Sequence, residues 1–240
     1  MWKVIRWPLI YFVIQFLLIV IMAYFYIQGG NAIDEFNSFL LDKQLLIVVI
    51  LGLIFIPLLL IDYKKNYYNS EVKKINIPIL LIIAVLLSLV YNVFAYYVNN
   101  FTFQTSLFDS NGNILYVLLA TGLIGPVIEE LMFRGIIYNE LKKRITSMAA
   151  ILITTLFFAL THFNIFQIIY ALALGFILIF VYEKYKDIKA PIILHMASNI
   201  TTTLFVPLLI KDNFIVNYSI FLIGLIGIFL IKKYTKFFKI

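Results

Sequence analysis

Long apolar runs separated by short polar stretches make up most of the chain. A helix needs ~20 apolar residues to cross a bilayer. Eight runs approach that length: 7–28, 44–61, 78–98, 114–138, 148–163, 165–182, 191–210 and 218–231. The fifth and the last are short. Backbone N–H and C=O groups must be paired inside lipid, so runs of this kind form helices. Barrel strands would alternate in polarity over shorter segments, and no such pattern is visible. The expected fold is therefore all-α: a polytopic membrane helix bundle of eight helices, with residues 1–240 as a single transmembrane domain. Lys3 and Arg6 precede the first run as they would in a signal peptide. Its apolar core is too long for one, and no clear small-residue cleavage site follows Tyr26, so it reads as a retained helix.

Composition agrees. Of 240 residues, 63% are apolar and 13% charged, against ~45–50% and ~25% in soluble domains. A soluble domain, a disordered chain and a collagen-like repeat are all excluded. With Cys 0 there are no disulfides, thiolate ligands or cysteine nucleophiles. The net charge of +7 is first an orientation signal. Bases collect at the N-terminus (Lys3, Arg6), in 62–77 (Lys64, Lys65, Lys73, Lys74), in 139–147 (Lys142, Lys143, Arg144), in 183–190 (Lys184, Lys186, Lys189) and in the tail (Lys232, Lys233, Lys236, Lys239). These segments alternate along the chain and so share one side. The opposite loops hold only Lys43 and Lys211, with Asp34, Glu35, Asp42, Asp109 and Asp212. The positive-inside rule then puts both termini in the cytoplasm of a cell-membrane protein. Bases scattered between apolar runs do not resemble a nucleic-acid module. The polar loop 99–113 reads as a solvated connection.

A charged side chain at mid-bilayer costs at least ~2.5–3.5 kcal/mol, and ionisable groups there usually face a bundle interior or a wet cavity. The fourth run carries three such residues: Glu129, Glu130 and Arg134. The other run interiors carry none. Glu130 and Arg134 stand at i,i+4 and can pair. Glu129 is turned about 100° from Glu130 on a 3.6-residue helix and has no cation of its own there, as suits a general base. The two histidines, His162 and His195, also fall in or at the ends of runs. Phe158 and His162 share a face at i,i+4, as do His195 and Asn199. An imidazole and a carboxamide projecting together suit an oxyanion hole, which needs donors aimed at one developing charge. The bland readings are an ion pair that glues helices and hydrogen bonds between helices. No Gly-x-Ser-x-Gly elbow and no His-Glu-x-x-His motif is present, so water is the available nucleophile. The chemistry these residues suit is amide hydrolysis, with Glu129 drawing the proton from water.

The set Glu129-Glu130-x-x-x-Arg134, Phe158-x-x-x-His162 and His195-x-x-x-Asn199 resembles the motif set of the CPBP family, the CAAX proteases and bacteriocin-processing enzymes also called Abi. The likeness covers roughly residues 114–205, in the same order and at similar spacing. It implies an eight-helix intramembrane protease with its catalytic core in that segment. Carried over by position, Glu129 resembles the water-activating base and His162 a residue that holds or activates the water. His195 and Asn199 look like the oxyanion donors, and Glu130 and Arg134 like supporting residues. The implied mechanism requires no cofactor. As an alternative, Glu129, His162 and His195 have the chemistry of a His₂Glu site for a zinc-like divalent metal.

The implied partner is a membrane-associated peptide or protein tail, with a small membrane-bound peptide precursor ranked ahead of a prenylated tail. A non-catalytic scaffold or bacteriocin-immunity protein of the same fold is the second reading. A proton-coupled transporter with a buried Glu/His relay is the third, although the halves show no inverted repeat. On straight helices the three motifs would begin at different depths, and tilt or a broken helix would be needed to bring them together.

Overall fold

A computed structural model describes residues 2–30, 36–68, 71–99, 114–162, 165–210, 213–234 and 237. Most of these residues are helical, joined by short turns and coil such as 71–76 and 143–146, with no strand among them. Among the described residues eight helices run in order: α1 (Trp2–Gln28), α2 (Phe36–Asn66), α3 (Ile77–Asn99), α4 (Ile114–Lys142), α5 (Ser147–Leu160), α6 (Ile165–Tyr185), α7 (Lys189–Leu204, continued by the single turn Val206–Leu209) and α8 (Phe214–Tyr234). Seven are long and apolar enough to cross a membrane, and α5, with 14 residues, is shorter. The last run, expected to be short, is a full 21-residue helix. The expected connection 99–113 lies outside the described residues from residue 100 onward.

Several helices extend past the apolar runs that reveal them. The expectation that only the fourth run carries charges in a helix interior is corrected by α1 and α2. Asp62 lies inside α2, largely buried, and accepts hydrogen bonds from Arg6 and from Trp7 Nε1 (2.7 Å) on α1. Hydropathy places this end of the helix in a loop because it is polar. The backbone continues because the charges are satisfied by one another.

Contacts divide the chain into two compact units, Met1–Tyr68 with Leu107–Ile145, and Asn69–Ser106 with Thr146–Ile240. In the first unit α1 and α2 pack along α4. Gly52 lets α2 approach α4 closely, since a Cβ there would stand 2.2 Å from Ile124 Cγ2. Tyr11 and Trp7 of α1 both set their rings edge-on against Phe55. In the second unit α3 packs on α7 and α8, while α6 packs on α5 and α7. Its core includes Leu80, Ile83, Leu174, Leu178 and Leu194, all essentially enclosed. Thr146 caps α5, its hydroxyl accepting from the Ala149 N–H at 3.3 Å, which satisfies one of the open donors at a helix start.

Candidate active site

In the first unit the candidate acids lie on α4, which changes hydrogen-bond register twice. Leu118–Ile124 and Leu131–Tyr138 are π-helical, and Gly125–Glu130 between them is α-helical. The Gly125 N–H reaches back five residues to the Ala120 carbonyl, the bonding pattern of a π-helix. Pro126 follows and has no N–H to give. The register therefore changes where one carbonyl must drop out of the ladder anyway. The regular 3.6-residue helix expected from sequence holds for the segment with Glu129 and Glu130 and for the two ends of α4, Ile114–Val117 and Asn139–Lys142, but not for the π-helical stretches between them.

Glu130 and Arg134 meet as their spacing suggests. Arg134 Nη1 donates to Glu130 Oε1 at 2.9 Å, and both side chains are completely buried. Glu129 beside them is only partly buried. Arg134 lies within electrostatic reach of Glu129 as well. The expectation that Glu129 has no cation of its own in this helix is therefore corrected, because one guanidinium acts on both carboxylates. Glu129 lies back along the helix over Gly125, where a Cβ would stand 3.9 Å from Glu129 Oε1 and 3.1 Å from the Ala120 carbonyl oxygen. Tyr11 of α1 is also within electrostatic reach of Glu129. Gly125 and Tyr11 are thus additions to the site. Sequence reasoning had no signal for Tyr11, whereas Gly125 could have been noticed at i−4 from Glu129.

In the second unit His162 sits just past the end of α5, and its hydrogen bonds fix its tautomer. The Thr161 hydroxyl donates to the Phe158 carbonyl at 2.7 Å, so its proton is not available to His162. His162 Nδ1 stands 3.2 Å from the same carbonyl oxygen and 3.5 Å from Thr161 Oγ1. A carbonyl can only accept, so Nδ1 carries the hydrogen and donates it. In the neutral imidazole Nε2 then bears the lone pair. The geometry leaves His162 ready to accept a proton or a hydrogen bond at Nε2.

His195 is buried on α7, with Asn199 one turn later and partly buried. The two histidines are brought to one ring. Phe158, 1% exposed, meets His162 edge-on at 5.2 Å between centroids and His195 at 5.9 Å. The expected i,i+4 packing of Phe158 on His162 is present. Its contact with His195 is tertiary and leaves no trace in a local pattern. Thr154 and Thr155 were also missed. They lie on the face of α5 that carries Phe158 and His162, and their fully buried hydroxyls have no hydrogen-bond partner. Their place at i−4 and i−3 from Phe158 was the available signal.

The structure thus gathers Glu129, Glu130 and Arg134 on one segment of the first unit. It gathers His162 and His195 around Phe158 in the second, with Asn199 on the same helix as His195. Within either unit, no three His, Cys, Asp or Glu side chains come together as metal donors among the described residues.

Residues 111–201 match the family described as Type II CAAX prenyl endopeptidase Rce1-like. The chain is also similar to a protein of Bacillus subtilis (strain 168) named "Putative membrane peptidase YdiL", with 30% identity over 83 residues. That alignment covers 35% of this chain and 34% of the relative, so the chain spans about a third of the length of the curated protein it matches. No solved structure matches. The matched segment runs from the start of α4 into α7 and contains all six candidate residues. These likenesses agree with the resemblance to the CPBP family carried by the motifs.

Proposed function

We propose that the protein is an intramembrane endopeptidase that hydrolyses a peptide bond in a membrane-associated peptide or protein tail. The observation that carries this reading is the division of labour on α4. Glu130 is fully enclosed and occupied by Arg134 at 2.9 Å, whereas Glu129 is partly accessible beside it. A general base must reach the proton it removes, and only Glu129 of the pair meets that need.

In the proposed reaction, Glu129 takes a proton from water while the water oxygen forms a bond to the scissile carbonyl carbon. His162 holds that water by accepting its second hydrogen at Nε2. The carbonyl oxygen becomes an oxyanion, which receives hydrogen bonds from the His195 ring N–H and the Asn199 carboxamide. Glu129 returns the proton to the leaving nitrogen as the C–N bond breaks, so acid and amine products balance the water consumed. Arg134, fixed by Glu130, offsets one of the two carboxylate charges on this segment and leaves Glu129 as the anionic base. Base and oxyanion donors all come from side chains, so the proposed reaction needs no metal. Chelator treatment of the purified protein is expected to leave turnover unchanged.

Cleavage in proteoliposomes tests the reading. Two quenched-fluorescence peptides serve as probes, a farnesylated one ending in a CAAX sequence and an unprenylated one held by a hydrophobic anchor. Wild type is expected to cleave at least one, and Glu129→Gln is expected to lose about 10²–10⁴-fold in kcat, the usual contribution of a positioned acid–base group. Equal rates in both proteins, or a cellular phenotype that survives Glu129→Gln in an inserted protein, would favour the scaffold reading instead.

A further inference from the structure

Buried polar groups of the second unit fasten α7 to two neighbouring helices, and the proposed reaction uses none of them. Ser198, fully buried, lies between His195 and Asn199 in sequence. Its Oγ is 2.8 Å from Ser88 Oγ on α3 and 2.5 Å from the Tyr170 hydroxyl on α6. Ser88 Oγ also donates to the Ser198 carbonyl at 3.1 Å. The protons balance as a chain: Tyr170 donates to Ser198, Ser198 to Ser88, and Ser88 to the Ser198 carbonyl. One turn further along α7, Thr202 accepts from Asn92 Nδ2 at 3.3 Å, and the other Asn92 hydrogen goes to the Ser88 carbonyl at 2.7 Å. Tyr170 is held in turn by its ring contact with Tyr91, 4.3 Å between centroids.

Adhesion alone does not account for this arrangement. Hydrogen bonds between membrane helices average only ~0.6 kcal/mol, and the adjacent leucine core already packs these helices together. What directed bonds add is rotational register. Apolar faces tolerate a small turn of one helix against another, but a hydroxyl pair at 2.8 Å does not. His195, Ser198, Asn199 and Thr202 stand at i, i+3, i+4 and i+7, on one side of α7. Any rotation that separates Ser198 from Ser88 and Tyr170 also turns His195 and Asn199. Oxyanion donors work only within about 0.5 Å and 10–20° of the productive geometry.

We propose that Ser198, Ser88, Tyr170 and Asn92 are positioning residues that set the rotation of α7 and so aim His195 and Asn199. Their consequence for rate rests on the peptidase reading above, but their effect on His195 does not. The test uses Tyr170→Phe, which removes one hydroxyl and keeps the ring, and Ser198→Ala, with Leu178→Ala as a packing control on α6. Because the chain has two histidines, nitrogen-15 histidine labelling in the full-length protein reports His195 directly. Both positioning variants are expected to move the His195 ring signals while melting temperatures stay near wild type. Leu178→Ala is expected to lower the melting temperature and leave those signals in place. On the farnesylated or anchored peptide, the positioning variants should lose about tenfold to a hundredfold in kcat with KM within about twofold. Unmoved His195 signals in both positioning variants, or rates that fall only in step with melting temperature, would overturn the proposal. If neither probe is cleaved in a Glu129-dependent way, the peptidase reading fails, and the histidine signals still decide whether α7 is aimed by this network.

Discussion

Replacing Glu130 by alanine leaves a guanidinium enclosed in protein without the carboxylate it pairs with. Arg134 and Glu130 are both at 0% exposure. Breaking a buried pair from one side typically costs about 3–5 kcal/mol, because the remaining charge is uncompensated. Glu130→Ala is therefore expected to lower thermal stability strongly, read as a melting temperature in detergent. Glu129→Gln, on a partly exposed neighbour, should leave that temperature close to wild type. The same pair of variants separates structure from chemistry in the cleavage assay. At this scale sequence was informative. Charges inside an apolar run are costly enough to stand out, and i,i+4 spacing assigned Arg134 to Glu130 correctly. It could not reveal that Arg134 also acts on Glu129, because that depends on how the helix is wound. The tautomer of His162 was equally hidden, since it rests on the Phe158 carbonyl and the Thr161 hydroxyl meeting the ring.

Helices were legible as apolar runs, and their ends were not. Hydropathy stops at Asp62, yet α2 continues to Asn66 because Arg6 and Trp7 satisfy the carboxylate. The π-helical turns of α4 are invisible for a related reason, since hydropathy reports which residues are apolar and not which carbonyl each N–H selects. Just past the end of α2, Tyr67 donates to Glu140 near the end of α4 at 3.1 Å. Burial, with the Glu140 carboxylate beside it, pushes the Tyr67 phenol up to about 12 from 10.0. The folded protein thus keeps this proton where the unfolded chain has released it. Stability that is complete below pH 10 falls as pH rises toward 12. Melting temperature followed against pH should show this loss in wild type and less of it in Tyr67→Phe.

The whole molecule combines two compact units with a strongly asymmetric charge pattern. The alternation of basic segments argues for both termini on the cytoplasmic side, and the absence of cysteine makes that easy to check. Single cysteines placed at Lys74, Lys143 and Lys186 are expected to react with a membrane-impermeant thiol reagent in inverted vesicles only. One at Lys43 should react in right-side-out cells. The reverse pattern would invert the topology. The all-α membrane class was readable from the apolar runs, and the segment that holds the candidate residues from the spacing of its polar motifs. The split into two units was not, because it depends on which helices touch rather than on where they lie in sequence.

The central claim is that a water activated by Glu129 cuts a peptide bond. Hydrolysis of the probe peptides in oxygen-18 water, followed by mass spectrometry of both fragments, tests it most directly. Wild type is expected to place one oxygen-18 atom in the new carboxylate, and Glu129→Gln is expected to give no labelled fragment above background. Labelled fragments formed equally by Glu129→Gln, or no cleavage of either peptide by correctly inserted wild type, would contradict the account.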